Sequence, residues 1–329
     1  MRRRAAGLGL VLALAAGVIV PAAAASSGPP GVAPLTGLAD PQGIARHRPA
    51  LAVKIENTPE ARPQAGLDVA DVVYEEVVEG DITRFWAVFN SRDPIDVGPI
   101  RSVRPLDPDL IAPLGGVTVY SGGTTPNVAA IRALGAVWVD QTNAGSAFYR
   151  DARRLAPHNL YAHTATLWGR AAPVPPPPLF TYTARSAPPP AGEPVRAVTL
   201  GFTPPYNVTY TDDPTSKAWT RSYGTVPQRA ASGRVLAPTN VIIEFVTYTA
   251  PAEARLLGTA PDQTAWVLTD GRLIEGRWSK PSPATPTRFT DRSGAPIALR
   301  PGSTWVELLP AGAPVDVVAA SPHARPPGR

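Results

Sequence analysis

Carboxylates and guanidiniums crowd one short stretch of this sequence. Asp71, Glu75 and Glu76 recur through residues 70–78, Glu79 follows, and Thr83-Arg84 comes just after a Gly80-Asp81 pair. In an extended strand successive side chains alternate, so Glu75 and Glu79 share one face and Glu76 takes the other. At a rise of ~3.3 Å per residue, Glu75 and Glu79 stand about 13 Å apart. A glycosidase carboxylate pair needs roughly 5 to 9.5 Å. Glu75 and Glu79 as catalytic groups, base or metal ligand, therefore require partners from other strands. Glu79, at a turn and close to Arg84, is the stronger candidate. The alternative is a solvated strand edge whose acids discourage pairing.

Residues 98–105, GPIRSVRP, form a basic loop stiffened by prolines. Arg101 and Arg104, with Ser102 between them, suit bidentate capture of a phosphate or carboxylate. Arg62 and Arg84 add to the same charge, unless these arginines pair internally with Asp71, Glu75, Glu79, Asp107 or Asp109. Gly122 and Gly123, in SGGTT ahead of a helical pattern, offer backbone N–H groups to an anion. Their loop matches neither a P-loop nor a dinucleotide fingerprint. His158 lies in a segment with Arg150 and Asn159, which extend the ligand-binding set, and is the third catalytic candidate, as general base or acid. Its alternative is a structural hydrogen bond. No zinc-binding histidine spacing, serine elbow or Ser-x-x-Lys pair occurs, so the metal is unspecified, with a divalent cation among acids and His158 left open.

The elements that must position these groups read as an α/β N-terminal domain, residues 34–170, joined by a Pro-rich linker, 171–194, to a mainly β C-terminal domain, 195–310. Strands are expected at 51–56, 70–78, 83–90, 117–120 and 137–139, with a hairpin at Gly80-Asp81 and a helix over 127–134 ending at Gly135. The second domain carries strands at 241–247, 265–269, 272–278 and 304–309. Residues 26–33 read as a tether and 311–329 as a flexible tail.

Residues 1–25 have the anatomy of a signal peptide: Arg2, Arg3 and Arg4, an apolar run, then small residues before Ser26. An uncleaved anchor is the alternative; after cleavage no transmembrane span is expected. The chain has 329 residues, 44% hydrophobic, with no cysteine, which excludes disulfides, thiolate chemistry and a lipid-bearing Cys in this sequence. Only 17% of residues are charged. Leaving out the three leading arginines lowers the formal charge from +5 to +2. Without a basic patch interleaved with aromatics, nucleic acid is not an expected partner.

Four segments converge on a family. PLTG at 34–37, IENTPEARPQAGLDVADVVYEEVVEGDITRF at 55–85, GPIRSVRP at 98–105 and FYRD…APHNLY at 148–161 resemble the YerB-like family of bacterial envelope lipoproteins, whose N- and C-terminal domains have no assigned function. Two departures stand out: the lipobox cysteine is missing, and Pro227 is followed by Gln228 where members often carry Pro-His. The order of motifs is also similar in layout to LytR-CpsA-Psr envelope phosphotransferases, an analogy of arrangement only. The resemblance implies the cell envelope and supplies no reaction; with the acidic and Arg-rich residues it reads as a secreted or cell-envelope module recognising an anionic or glycan ligand. The alternative is a phosphotransferase-like or hydrolytic enzyme acting on a pyrophosphate-linked glycan.

Overall fold

The computed structural model describes residues 31–320, other than 205, 251, 255 and 260–262. The expected signal peptide lies outside the described residues. Strands take 40% of the chain and helices 10%, so the β character is stronger than the α/β reading of the first half implied.

Most strands belong to one sheet. Leu51–Glu56 is buried along its whole length, as expected of a continuous apolar run in a sheet covered on both faces. It pairs antiparallel with Ile82–Phe89, which pairs antiparallel with Val72–Val78. The turn between these last two holds Gly80 at φ 79° and Asp81 at φ 55°. Two successive left-handed residues give the twist that a tight hairpin needs, and Gly and Asp are among the residues that tolerate it. On the other side of Leu51–Glu56, Val117–Val119 and then Val137–Val139 add in parallel, with the helix Thr125–Arg132 between them. This unit is the α/β part. The other described α-helices, Asp107–Ile111 and Ala165–Trp168, are single turns.

The two halves of the chain share the sheet. Thr304–Pro310 runs parallel to Val72–Val78 on one side and parallel to Asn240–Val246 on the other. Val73 faces Trp305 and Glu75 faces Glu307 across the junction. The acidic strand is therefore interior to the sheet, which overturns the solvated-edge alternative. One face packs Tyr74, Trp86, Ile242, Val306 and Leu308, and the other packs Val53, Phe85, Phe89 and Trp305. Each large apolar side chain fully buried there contributes about 1.5–3 kcal/mol relative to exposure.

The Pro-rich segment lies along this body. Leu179 is buried, the Tyr182 hydroxyl donates to the Leu35 carbonyl at 2.5 Å, and the Thr183 amide donates to the Leu299 carbonyl at 2.9 Å. Past residue 310, where a loose tail was expected, Val315–Ala319 pairs antiparallel with Glu193–Gly201. Among the described residues no helix is long and apolar enough to cross a membrane.

Candidate functional site

Register brings the charged residues together. Across three adjacent strands Glu56, Arg84 and Glu76 are cross-strand neighbours, with Lys54, Trp86 and Tyr74 in the parallel row. The basic loop closes over this end of the sheet: the Arg101 amide donates to the Lys54 carbonyl at 2.9 Å. Arg84 Nη1 donates to the Ser102 carbonyl at 3.0 Å, and Arg104 Nη1 reaches the same oxygen at 3.4 Å. Arg104 Nε also holds Glu79 at 2.5 Å. Arg84, Arg101 and Arg104 thus stand close enough to repel one another. Burial, then Arg104 and Arg101, bring the Arg84 guanidinium down to about 10.

Beneath the arginines lies Lys54, fully buried, with Asp107 at 2.7 Å and Glu76 on its other side. Burial and then the neighbouring Asp107 push Glu76 up to about 8, against the pull of Lys54. Lys54 thus lies between Asp107 and a Glu76 that holds its proton at neutral pH. Beside them, the fully buried Glu56 accepts from His158 Nδ1 at 2.9 Å and from Thr58 Oγ1 at 3.1 Å. Arg101 Nε is 3.2 Å from Glu56 but poorly aligned for a hydrogen bond, so the contact is electrostatic. With Nδ1 engaged by Glu56, His158 keeps Nε2 for a further partner, and its side chain is 22% exposed.

Further expected residues join this cluster through the loops. Gly122 accepts from the Val103 amide at 2.9 Å, and the Ser121 amide donates to Arg101 at 2.9 Å. A Cβ on Gly123 would come within 2.8 Å of Val103 Cγ2, so this glycine permits the close approach of the two loops. Ser102 and Ser121 hydroxyls are 3.4 Å apart. Arg150 donates to Asn159 at 2.8 Å and to Gln141 at 3.2 Å, and Gln141 donates to the Ser121 carbonyl at 2.7 Å. Arg84, Arg101, Ser102, Arg104, Glu79, Gly122, Gly123, Arg150, His158 and Asn159 therefore form one connected assembly.

Two candidates do not join it. Glu75 points to the opposite face, fully buried, and is bonded by Arg221, Thr83 and Asn57. No ligand reaches its carboxylate in this arrangement, which removes it as catalytic base. Arg62 donates to the Asn57 side chain and carbonyl and lies 3.9 Å over the Tyr223 ring. It belongs with Glu75. The internal-pairing alternative holds for Arg104, through Glu79, but Arg84 Nε has no hydrogen-bond partner among the described residues. Among those residues no group of three or more His, Asp or Glu side chains is placed to hold a metal.

Sequence reasoning missed Lys54 and Glu56, and named Asp107 only as a partner for the arginines, whereas its carboxylate is bonded by Lys54. The signal was present in LAVKIE, a buried apolar strand that carries one lysine and one glutamate; a charge in such a place needs an opposite charge beside it.

Comparison with known proteins gives the chain its relatives. A protein of unknown function (DUF3048) N-terminal domain matches residues 35–174, and the corresponding C-terminal domain matches residues 198–306. "Putative lipoprotein YerB" of Bacillus subtilis is 30% identical over 300 residues, 88% of each chain. The chain belongs to the YerB-like family. The crystal structure of that YerB protein matches with a TM-score of 0.73 at 26% identity, covering 87% of this chain and 99% of that one. Within the YerB-like framework the charged assembly falls wholly in the N-terminal domain. Glu75 contacts Arg221 of the C-terminal domain instead.

Proposed function

We propose that this protein is an exported cell-envelope module that binds an anionic group, phosphate or carboxylate, of an envelope ligand through Arg84, Arg101 and Arg104. The observation that carries the reading is that Arg84 and Arg104 both donate to the Ser102 carbonyl with Arg101 close enough to repel Arg84, while Arg84 Nε has no partner among the described residues. Like charges held together without a full set of acceptors favour a ligand that supplies them. The export signal read in residues 1–25 and a relative named as a lipoprotein support the envelope. A glycan attached to the anionic group is the substrate class this location favours.

The test is a thermal-shift series with inorganic pyrophosphate, a polyprenyl-pyrophosphate analogue and wall glycans. A ligand at 100 times its dissociation constant stabilises by about 2.7 kcal/mol. The shift should vanish in the Arg101→Ala/Arg104→Ala double variant. An unchanged shift in that variant sinks the reading.

A second reading, an envelope hydrolase or phosphotransferase, draws on the Glu56–His158 contact. A buried carboxylate on Nδ1 orients the ring and leaves Nε2 facing outward, the arrangement of a general base beside an anion-binding arginine. It requires turnover of a pyrophosphate-linked glycan that is lost in His158→Gln.

A further inference from the structure

Residues 178–181, 285–290, 296, 297 and 299 enclose a groove of about 530 Å³. Its walls include Leu179, Phe180, Phe289, Ile297 and Leu299. Leu179, Phe180 and Phe289 also wall a small inner cavity of about 10 Å³, lined by Asp109, Glu244, Lys280 and Tyr74. The outer volume is that of a small-molecule site, and the inner one holds roughly one water-sized group.

The inner end is short of positive charge. Glu244 is 4% exposed, and among the described residues no hydrogen bond reaches its carboxylate. Lys280, also buried, is the cation facing it, and its Nζ is already engaged by the Thr285 carbonyl while sharing its charge with Asp109. Two carboxyls therefore face one lysine in a small cavity that shares the walls Leu179, Phe180 and Phe289 with the apolar groove. An isolated buried carboxylate is strongly unfavourable, so an incoming cation that fits the cavity replaces a proton on Glu244.

We propose that this groove is a second binding site, for a primary ammonium carried on an apolar stem. Glu244 and Asp109 receive the ammonium, and Phe180, Phe289 and Ile297 pack against the stem. An ammonium is close to water in size and has three donors, whereas a guanidinium is too broad for the inner cavity. A carboxylate would meet Glu244 directly. The groove involves none of Arg84, Arg101 or Arg104, so it is independent of the anion site.

Burial raises Glu244 to about 8 and lowers Lys280. Charged and titratable groups around Glu244 are Asp109, Lys280, Tyr74 and Tyr248, with Arg288 on the outer wall. Ammonium binding at neutral pH should thus release a proton from Glu244 to the buffer.

The experiment is isothermal titration with 2-phenylethylamine and its neutral isostere 2-phenylethanol, in two buffers of different ionisation heat at neutral pH. The amine should bind about tenfold or more tighter than the alcohol, with proton release. Glu244→Gln should remove that preference and the proton release, while Arg101→Ala leaves both intact. A melting transition of Glu244→Gln equal to the parent's at pH 5 shows that the variant is folded. Equal binding of amine and alcohol, no binding of either, or a preference unchanged in folded Glu244→Gln overturns the proposal.

Discussion

Arg221 Nη2 bonds the Glu75 carboxylate although 146 residues separate them and neither side chain is exposed. Arg221 also donates to the Tyr210 hydroxyl at 3.1 Å and lies over the rings of Trp305 and Phe85. Asn57 and Tyr223 bond across the same junction. Glu75, first read as a catalytic base, thus ties the N-terminal domain to the C-terminal one.

Breaking that tie should destabilise the whole protein. Arg221→Met leaves Glu75 beside Glu307 without the cation that bonds it, and the expected loss is about 3–5 kcal/mol. Urea unfolding followed by tryptophan fluorescence measures it. A loss below about 1 kcal/mol would mean the buried charges are compensated elsewhere.

Stability should fall as pH rises through the neutral range. Glu76 and Glu244 both keep their protons to about 8 in the folded protein, against a reference value of 4.5. Between those values the folded chain binds more protons than the unfolded one, so unfolding becomes easier as pH increases. Glu79, held low by its own backbone and by Arg104, works the other way, adding stability that is lost on acidification. Urea midpoints at pH 5, 7 and 9 should decline in the parent and decline less in Glu244→Gln. A flat parent profile contradicts the assignment.

Glu79 competes with a ligand for Arg104. Its side chain is 55% exposed, so its contribution to stability is about 0–1 kcal/mol. Glu79→Gln should leave the melting temperature nearly unchanged and tighten pyrophosphate binding. Weaker binding would instead assign Glu79 to the ligand, through a bridging cation.

His158 satisfies one oxygen of Glu56, and Glu56 Oε2 has no partner among the described residues. His158→Leu should then lower stability by about 1–3 kcal/mol, since a buried carboxylate loses one of its two donors. His158→Gln, which keeps a donor, should recover much of that loss. Equal losses for the two variants would show that the hydrogen bond is not what matters.

Much of the secondary structure was legible in local patterns. LAVKIE, the Gly80-Asp81 turn and the Pro126 helix start each carry their own physical signal, and the elements lie within a few residues of where those signals place them. The convergence of Arg84, Arg101 and Arg104 with His158 was legible as composition, because the motifs cluster along the chain. What decided the face of each carboxylate was register, and that depends on which strands become neighbours. Nothing near Val72 announces that Thr304–Pro310 will lie beside it. The docking of the Pro-rich segment was hidden for a related reason: its prolines signal an extended spacer and leave open how it lies, while Leu179, Phe180 and Tyr182 among them supply the apolar grip that docks it.

The parallel pairing of Thr304–Pro310 with Val72–Val78 also sets an order of assembly. A chain made from its N-terminus delivers Val72–Val78 long before Thr304–Pro310 exists. Until then one long side of that strand, rich in valine, is open to any other extended segment. The N-terminal domain matures only when nearly the entire polypeptide has been made. A chain cut short before residue 304 would emerge with that flank bare, and its natural fate is self-association.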